Sequence, residues 1–229
     1  MKIIVLSLYI IFLSFTLYSQ CDTLRNETHI FWCEEYTLQF SDFQDTSRLA
    51  KHLEWCESKS LCWGAYTGLF SVMDIPKKEK DQQRKEEVIY FAPAFELKTS
   101  YRLTSDSLDY LKQIIVFDMY ELAARKCRIQ LDSLYKTNPT IGIKGIFFKS
   151  VEIEVNANLG KMVKAYTNEV YIKKLEGSFL KWRTLIDNLL NETKEFQTTT
   201  NDRLRFIQNK PIIKGYIKAP KVIGNLFEK

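Results

Sequence analysis

The chain has 229 residues, of which 45% are hydrophobic, 14% aromatic and 27% charged, with a formal net charge of +5. That apolar content excludes a disordered chain, and the length suits one domain, or one domain with an appended tail. The charge is concentrated at the C-terminal end, where residues 197–229 carry seven lysines and arginines against Asp202 and Glu228, so the rest is near neutral.

Residues 1–19 have the layout of a secretory signal peptide: Lys2, an almost unbroken apolar run from Ile3 to Leu17, then Ser19. Cleavage is expected after Ser19, with Gln20 the alternative, leaving a secreted or periplasmic protein. A membrane-spanning helix needs roughly 20 apolar residues, and no other stretch approaches that length. A lipid anchor at Cys21 is the competing fate of this segment, but Tyr18-Ser19-Gln20 fits the small-residue lipobox poorly.

The five cysteines are Cys21, Cys33, Cys56, Cys62 and Cys127. An exported chain meets an oxidising environment, so pairing is allowed, and Cys56 with Cys62 is the expected local bridge. The odd count leaves a thiol over, and the remaining pairing stays open. No Cys-x-x-Cys pair exists, and His29 and His52 lack ligand-like spacing, which argues against a zinc site and leaves no expected cofactor.

In chain order, His29 to Phe40 reads as a first strand, ended by a turn at Ser41-Asp42, and Thr46 to Ser58 as a short helix with Leu49, His52, Leu53 and Cys56 on one side. Trp63 to Met73 and Val88 to Phe95 read as strands, joined by a charged run over 76–87 that predicts a solvated loop. A long helix is expected to start at Ser105-Asp106-Ser107 and to stop before Asn138-Pro139. Gly142 to Val155 suggests one or two further strands. Helices follow over Asn158 to Leu175 and Ser178 to Phe196, the second with Leu180, Leu185, Ile186 and Leu189 as its apolar stripe and Trp182 beside it. In the tail, apolar residues such as Phe206, Ile207, Ile213 and Ile217 between the cations suggest strands or a docked arm with a solvated lysine face. Nucleic acid is not expected as a partner of an exported chain.

The long helix contains Lys112-Gln113-Ile114-Ile115-Val116-Phe117-Asp118-Met119-Tyr120-Glu121-Leu122-Ala123-Ala124-Arg125. It resembles the core of a bacterial secreted family of unknown function, placed among the zincin-like metalloproteases, whose motif reads His-Glu-Gln-x-His-Phe-Asp-Ile-x-Glu-x-x-Ala-Arg. Phe117, Asp118, Glu121, Ala124 and Arg125 match, while Lys112, Gln113 and Val116 stand where His, Glu and His belong. Two upstream segments resemble the same family in the same order. Leu38-Gln39-Phe40-Ser41-Asp42-Phe43 is similar to its Leu-x-Trp-x-Asp-Phe signature, with Phe40 for the tryptophan. Phe95-Glu96-Leu97-Lys98-Thr99-Ser100-Tyr101 is similar to its Phe-x-x-x-x-Ser-Trp segment, with Tyr101 for the tryptophan. The resemblance covers Trp32 to Tyr135 and is looser downstream, at Tyr171, Gly177 and Trp182.

The resemblance implies an α+β fold with a zincin-like core, in which a mixed or antiparallel sheet packs on the long helix and further helices follow. The expected organisation is a signal peptide over 1–19, the α+β domain over 20–196, and the basic tail over 197–229, docked on it.

Zinc hydrolysis on such a helix needs two imidazoles one turn apart and a carboxylate to take a proton from the bound water. Lys112 is a cation, Val116 has no donor atom, and Gln113 cannot act as a general base. The expectation is therefore a non-catalytic relative with a binding or envelope-associated role and an unidentified protein or envelope partner. The alternatives are a hydrolase rebuilt around His29 or His52 near Glu121, or a purely structural surface protein. At 100° per residue Lys112, Val116, Met119 and Ala123 share one, mostly apolar, face. Asp118, Glu121 and Arg125 fall together on the opposite one, where they are expected to form a structural ion-pair cluster, with Glu121 and Arg125 at i+4 and Asp118 one further turn away.

Overall fold

The computed structural model describes residues 24–59 and 61–220. The expected signal peptide, Cys21 and the tail beyond residue 220 lie outside the described residues. None of the described helices is long and apolar enough to cross a membrane.

Strands β1 (His29–Phe31), β3 (Thr67–Pro76), β4 (Val88–Glu96) and β6 (Tyr216–Lys218) form an antiparallel sheet in the order β1-β4-β3-β6. A second ribbon pairs β2 (Trp63–Gly64) with β5 (Tyr101–Arg102). The first strand is short: it ends at Phe31, well before Phe40. Strand β4 is covered on both faces, as its continuous run of buried residues from Tyr90 to Phe95 requires. Phe91 enters the main core, whereas Ala92 and Ala94 face Phe31, Phe70 and Phe206 on the other side.

Helix α1 (Leu49–Lys59) is tied to the start of β2 by a disulfide between Cys56 and Cys62. His52 is buried under it, while Leu49 and Leu53 point outward. The charged run at 76–87 is more than a solvated loop. It contains a short helix, α2 (Glu79–Gln82), and its last residue, Glu87, is buried.

Helix α3 (Ser107–Thr137) spans 31 residues, about 46 Å at 1.5 Å per residue. Asp106 caps it by accepting from the Asp109 amide at 2.9 Å, and it stops at Asn138, before Pro139. Its buried residues do not follow a single stripe, because the sheet covers one side and two later helices cover the others.

Residues 142–155 are helical, correcting the expected strands. Helix α4 runs from Ile143 to Thr167 after Gly142, whose φ of 89° suits glycine. The β-branched and aromatic density of this stretch favoured strands locally. Phe148, Val151, Val155 and Leu159, spaced by three and four, are however buried in the core that α3 shares, and helical packing overrides the propensity. Glu87 stabilises the new N-terminus, since its carboxylate accepts from the amides of Gly142 at 3.0 Å and Gly145 at 2.8 Å.

A π-helical turn over Asn168–Ile172 follows, then helix α5 (Ser178–Glu192). The stripe that α5 buries is Ser178, Trp182 and Ile186, whereas Leu180 and Leu185 are exposed. The expected stripe holds at Ile186 and is corrected at Leu180 and Leu185, because the helix is anchored by its tryptophan, whose indole donates to Glu169 at 2.9 Å and packs edge-on against Tyr166.

Helix α6 (Thr200–Ile207) begins with a capping box between Thr199 and Asp202. Arg205 is buried and donates through Nε and Nη2 to both carboxylate oxygens of Asp74 on β3, at 2.6 and 2.7 Å. Lys210, Lys214 and Lys218 are exposed. Among its described residues the tail thus divides its charge: the arginines hold it to the domain, and Lys210, Lys214 and Lys218 face solvent.

Candidate functional site

The three positions where the resemblance expects zinc chemistry are built into the packing of α3. The Lys112 ammonium lies 3.1 Å from Asp109, and its carbonyl accepts from the Tyr166 hydroxyl at 2.7 Å. Gln113 is buried, with its side-chain oxygen accepting from the Ala65 amide at 3.1 Å and its nitrogen donating to the Tyr171 hydroxyl at 2.7 Å. Val116 is packed against the main core. These side chains do not fit a zinc ion, because the first is a paired cation, the second is an engaged amide and the third has no donor. Among the described residues, no group of three or more His, Cys, Asp or Glu side chains could hold a metal ion.

The two histidines sit elsewhere. His29, on β1, lies 3.8 Å from Glu96 and bonds to the Thr28 hydroxyl. His52 stacks on Tyr101 with ring centroids 3.6 Å apart, and its Nε2 is 3.7 Å from Asp45. Burial holds its pKa below the ordinary value, against the opposing pull of Asp45. Glu121 instead receives Arg125 Nε at 2.7 Å, the Thr198 amide at 2.9 Å and the Thr198 hydroxyl at 2.6 Å.

The matching positions split into two groups. Glu121 and Arg125 form a fully buried i,i+4 pair, and Arg125 also donates to the Leu190 carbonyl at 2.5 Å and lies under the Trp32 ring, 5.2 Å from its centroid. Burial pushes the Glu121 carboxyl up, while Arg128, the Thr198 hydrogen bonds and Arg125 pull it back. Asp118 turns away from this pair. Its two oxygens accept from Trp32 Nε1 at 2.9 Å and from Arg183 Nη1 at 2.7 Å.

These groups border a cleft of about 470 Å³ between α3, α5 and the loop after β1. Phe117, Asp118 and Arg125 line it together with Trp32, Tyr36 and Arg183. Arg183 bridges Asp118 and, through Nη2 at 2.6 Å, Asp187. Burial alone would lower its pKa, but the two carboxylates outweigh that and hold it raised. Its Nε is buried and has no hydrogen-bond partner among the described residues. Cys33 also lines the cleft, but its thiol is hydrogen-bonded to Glu35 at 2.6 Å, and burial with that bond pushes its pKa up, away from a nucleophilic thiolate. The cleft is thus lined by aromatic side chains and by charges that are paired with one another.

Sequence spacing foresaw the Glu121 to Arg125 pair but not Trp32, Arg183 or Thr198. Trp32 and Asp118 are 86 positions apart, so no local periodicity links them. The one available signal was the i,i+4 placement of Arg183 and Asp187 on α5.

No family model matches the chain, and no curated protein or solved structure matches it either.

Proposed function

We propose that this chain is an exported, non-catalytic binding protein, a divergent relative of the zincin-like metalloproteases that keeps the long helix as a scaffold. The observation that carries this reading is the engagement of Gln113. The residue in the general-base position is a buried amide clamped between the Ala65 backbone and the Tyr171 hydroxyl, with no proton-accepting role available to it. The charged cleft beside Phe117, Asp118 and Arg125 is the binding surface in this reading, with a protein or envelope component as its partner.

Elemental analysis of the purified chain tests the proposal. The expected result is no stoichiometric zinc. One zinc per chain, lost on Glu121→Gln or His52→Ala, would overturn it in favour of a rebuilt hydrolase.

A further inference from the structure

Strand β3 has two neighbours of very unequal length. Strand β4 matches it from Thr67 to Asp74, whereas β6 matches it only from Asp74 to Pro76. The Tyr66 carbonyl accepts from the Glu96 amide on the β4 side, and the Met73 carbonyl accepts from the Ala219 amide on the β6 side. Even-numbered residues of β3 therefore turn their backbone groups to β4 and odd-numbered ones turn them to β6, as an antiparallel ladder requires. The N–H and C=O groups of Thr67, Leu69 and Ser71 thus face an edge that no strand pairs with among the described residues. Residues 67–71 are all partly exposed. An open edge of this kind is a template for one more extended segment.

The described chain leaves the domain at that edge. Pro220 is the last described residue, and β6 runs antiparallel to β3 in a register that pairs Ile75 with Ile217 and Asp74 with Lys218. Carried on without a shift, the same register sets Lys221 opposite Ser71, Val222 opposite Phe70, Ile223 opposite Leu69 and Asn225 opposite Thr67. Pro220 falls opposite Val72, where a strand residue turns its N–H away from β3, so the missing donor costs the ladder nothing. Val222 joins Phe70 on the face where that ring packs edge-on against Phe206, and Ile223 joins Leu69, which is partly buried against the main core. Lys221 comes beside Ser71, whose hydroxyl donates to the Glu152 carboxylate, so the charges are opposite in sign. Thr67 Oγ1 is buried without a hydrogen-bond partner among the described residues. The side-chain amide of Asn225, directly across from it, supplies one.

We propose that residues Lys221 to Asn225 extend β6 along the open edge of β3, in the register of Asp74 with Lys218, so that the chain closes its own sheet. The inference goes beyond the non-catalytic reading and is separable from it: zinc content says nothing about the β3 edge, and exchange at that edge says nothing about zinc.

The test is amide hydrogen exchange, followed residue by residue by nuclear magnetic resonance, on the full chain and on the same chain shortened to Pro220. The Leu69 and Ser71 amides should be protected in the full chain and exchange about tenfold faster in the shortened one. Phe70 and Val72, whose amides face β4, should be unchanged. Ile223→Pro removes the donor that faces Leu69 and should act like the shortening, whereas Gly224→Pro, at a position whose N–H turns away from β3, should not. If the shortened chain does not fold, the comparison of the two proline variants decides alone. The pairing is overturned by equal exchange at Leu69 and Ser71 in the full and the shortened chain, by protection that survives Ile223→Pro, or by equal losses from the two proline variants. Protection in the full chain that rises with protein concentration would also overturn it, by assigning the edge to a second copy.

Discussion

Gln113 donates a 2.7 Å hydrogen bond to the hydroxyl of Tyr171, joining α3 to the π-helical turn 58 residues further along the chain. Burial pushes the Tyr171 phenol far up, so it keeps its proton, and the adjoining Tyr166 packs edge-on against it. Gln113 thus acts as a tertiary fastener.

Gln113→Ala leaves the Ala65 amide without its partner and removes one of the Tyr171 hydroxyl's hydrogen bonds, the Tyr166 hydroxyl remaining beside it. The stranded amide costs about 1–3 kcal/mol, so a clear drop in the urea midpoint is expected. An unchanged midpoint would mean that the clamp contributes nothing to the fold.

Arg125→Ala strands the Glu121 carboxylate in the core. Breaking one partner of a buried pair costs about 3–5 kcal/mol, whereas the exposed Lys136 and Asp132 pair on the same helix is screened by solvent and should contribute little. Denaturant unfolding of Arg125→Ala beside Lys136→Ala checks the contrast. Replacing Glu121 and Arg125 together by leucine should recover part of the loss, since neither charge then remains buried alone.

In the tail, Arg205→Ala removes the partner of Asp74, which is buried on β3. A loss of about 3–5 kcal/mol is expected, while Lys214→Ala, at an exposed position, should stay within about 0.5 kcal/mol of the parent. Equal effects from the two substitutions would contradict the division of the tail into anchoring arginines and solvated lysines.

His52 gives the fold a pH dependence of known sign. Its folded pKa lies below the ordinary 6.5 because the ring is buried. Stability from this group is therefore complete above 6.5 and is lost as pH falls towards the folded value, where the unfolded chain takes a proton that the buried ring refuses. The slope from this one group cannot exceed about 1.4 kcal/mol per pH unit. Thermal unfolding between pH 7 and pH 5 should show it, and His52→Asn should flatten it. An unchanged slope in the variant would assign the dependence to other groups.

The ends of α3, the Cys56 to Cys62 bridge and the Glu121 to Arg125 pair were legible because each depends on residues within a few positions of one another: a capping aspartate, a proline, a spacing of six, a spacing of four. Less of the remainder was local. The stretch from Gly142 to Val155 has strand-like composition and becomes helical because α3 offers it a complementary apolar surface and Glu87, far upstream, caps its first amides.

By itself the sequence determined an α+β chain with a long central helix and a local bridge, since caps, periodicity and short spacings act within one or two turns. Only the tertiary structure decided what the motif's positions do. It engaged Gln113 with Tyr171, drew Asp118 to Trp32 and Arg183, and buried the tail's arginines. Those outcomes depend on which distant surfaces meet, and the free energy of that meeting is not written in any single segment.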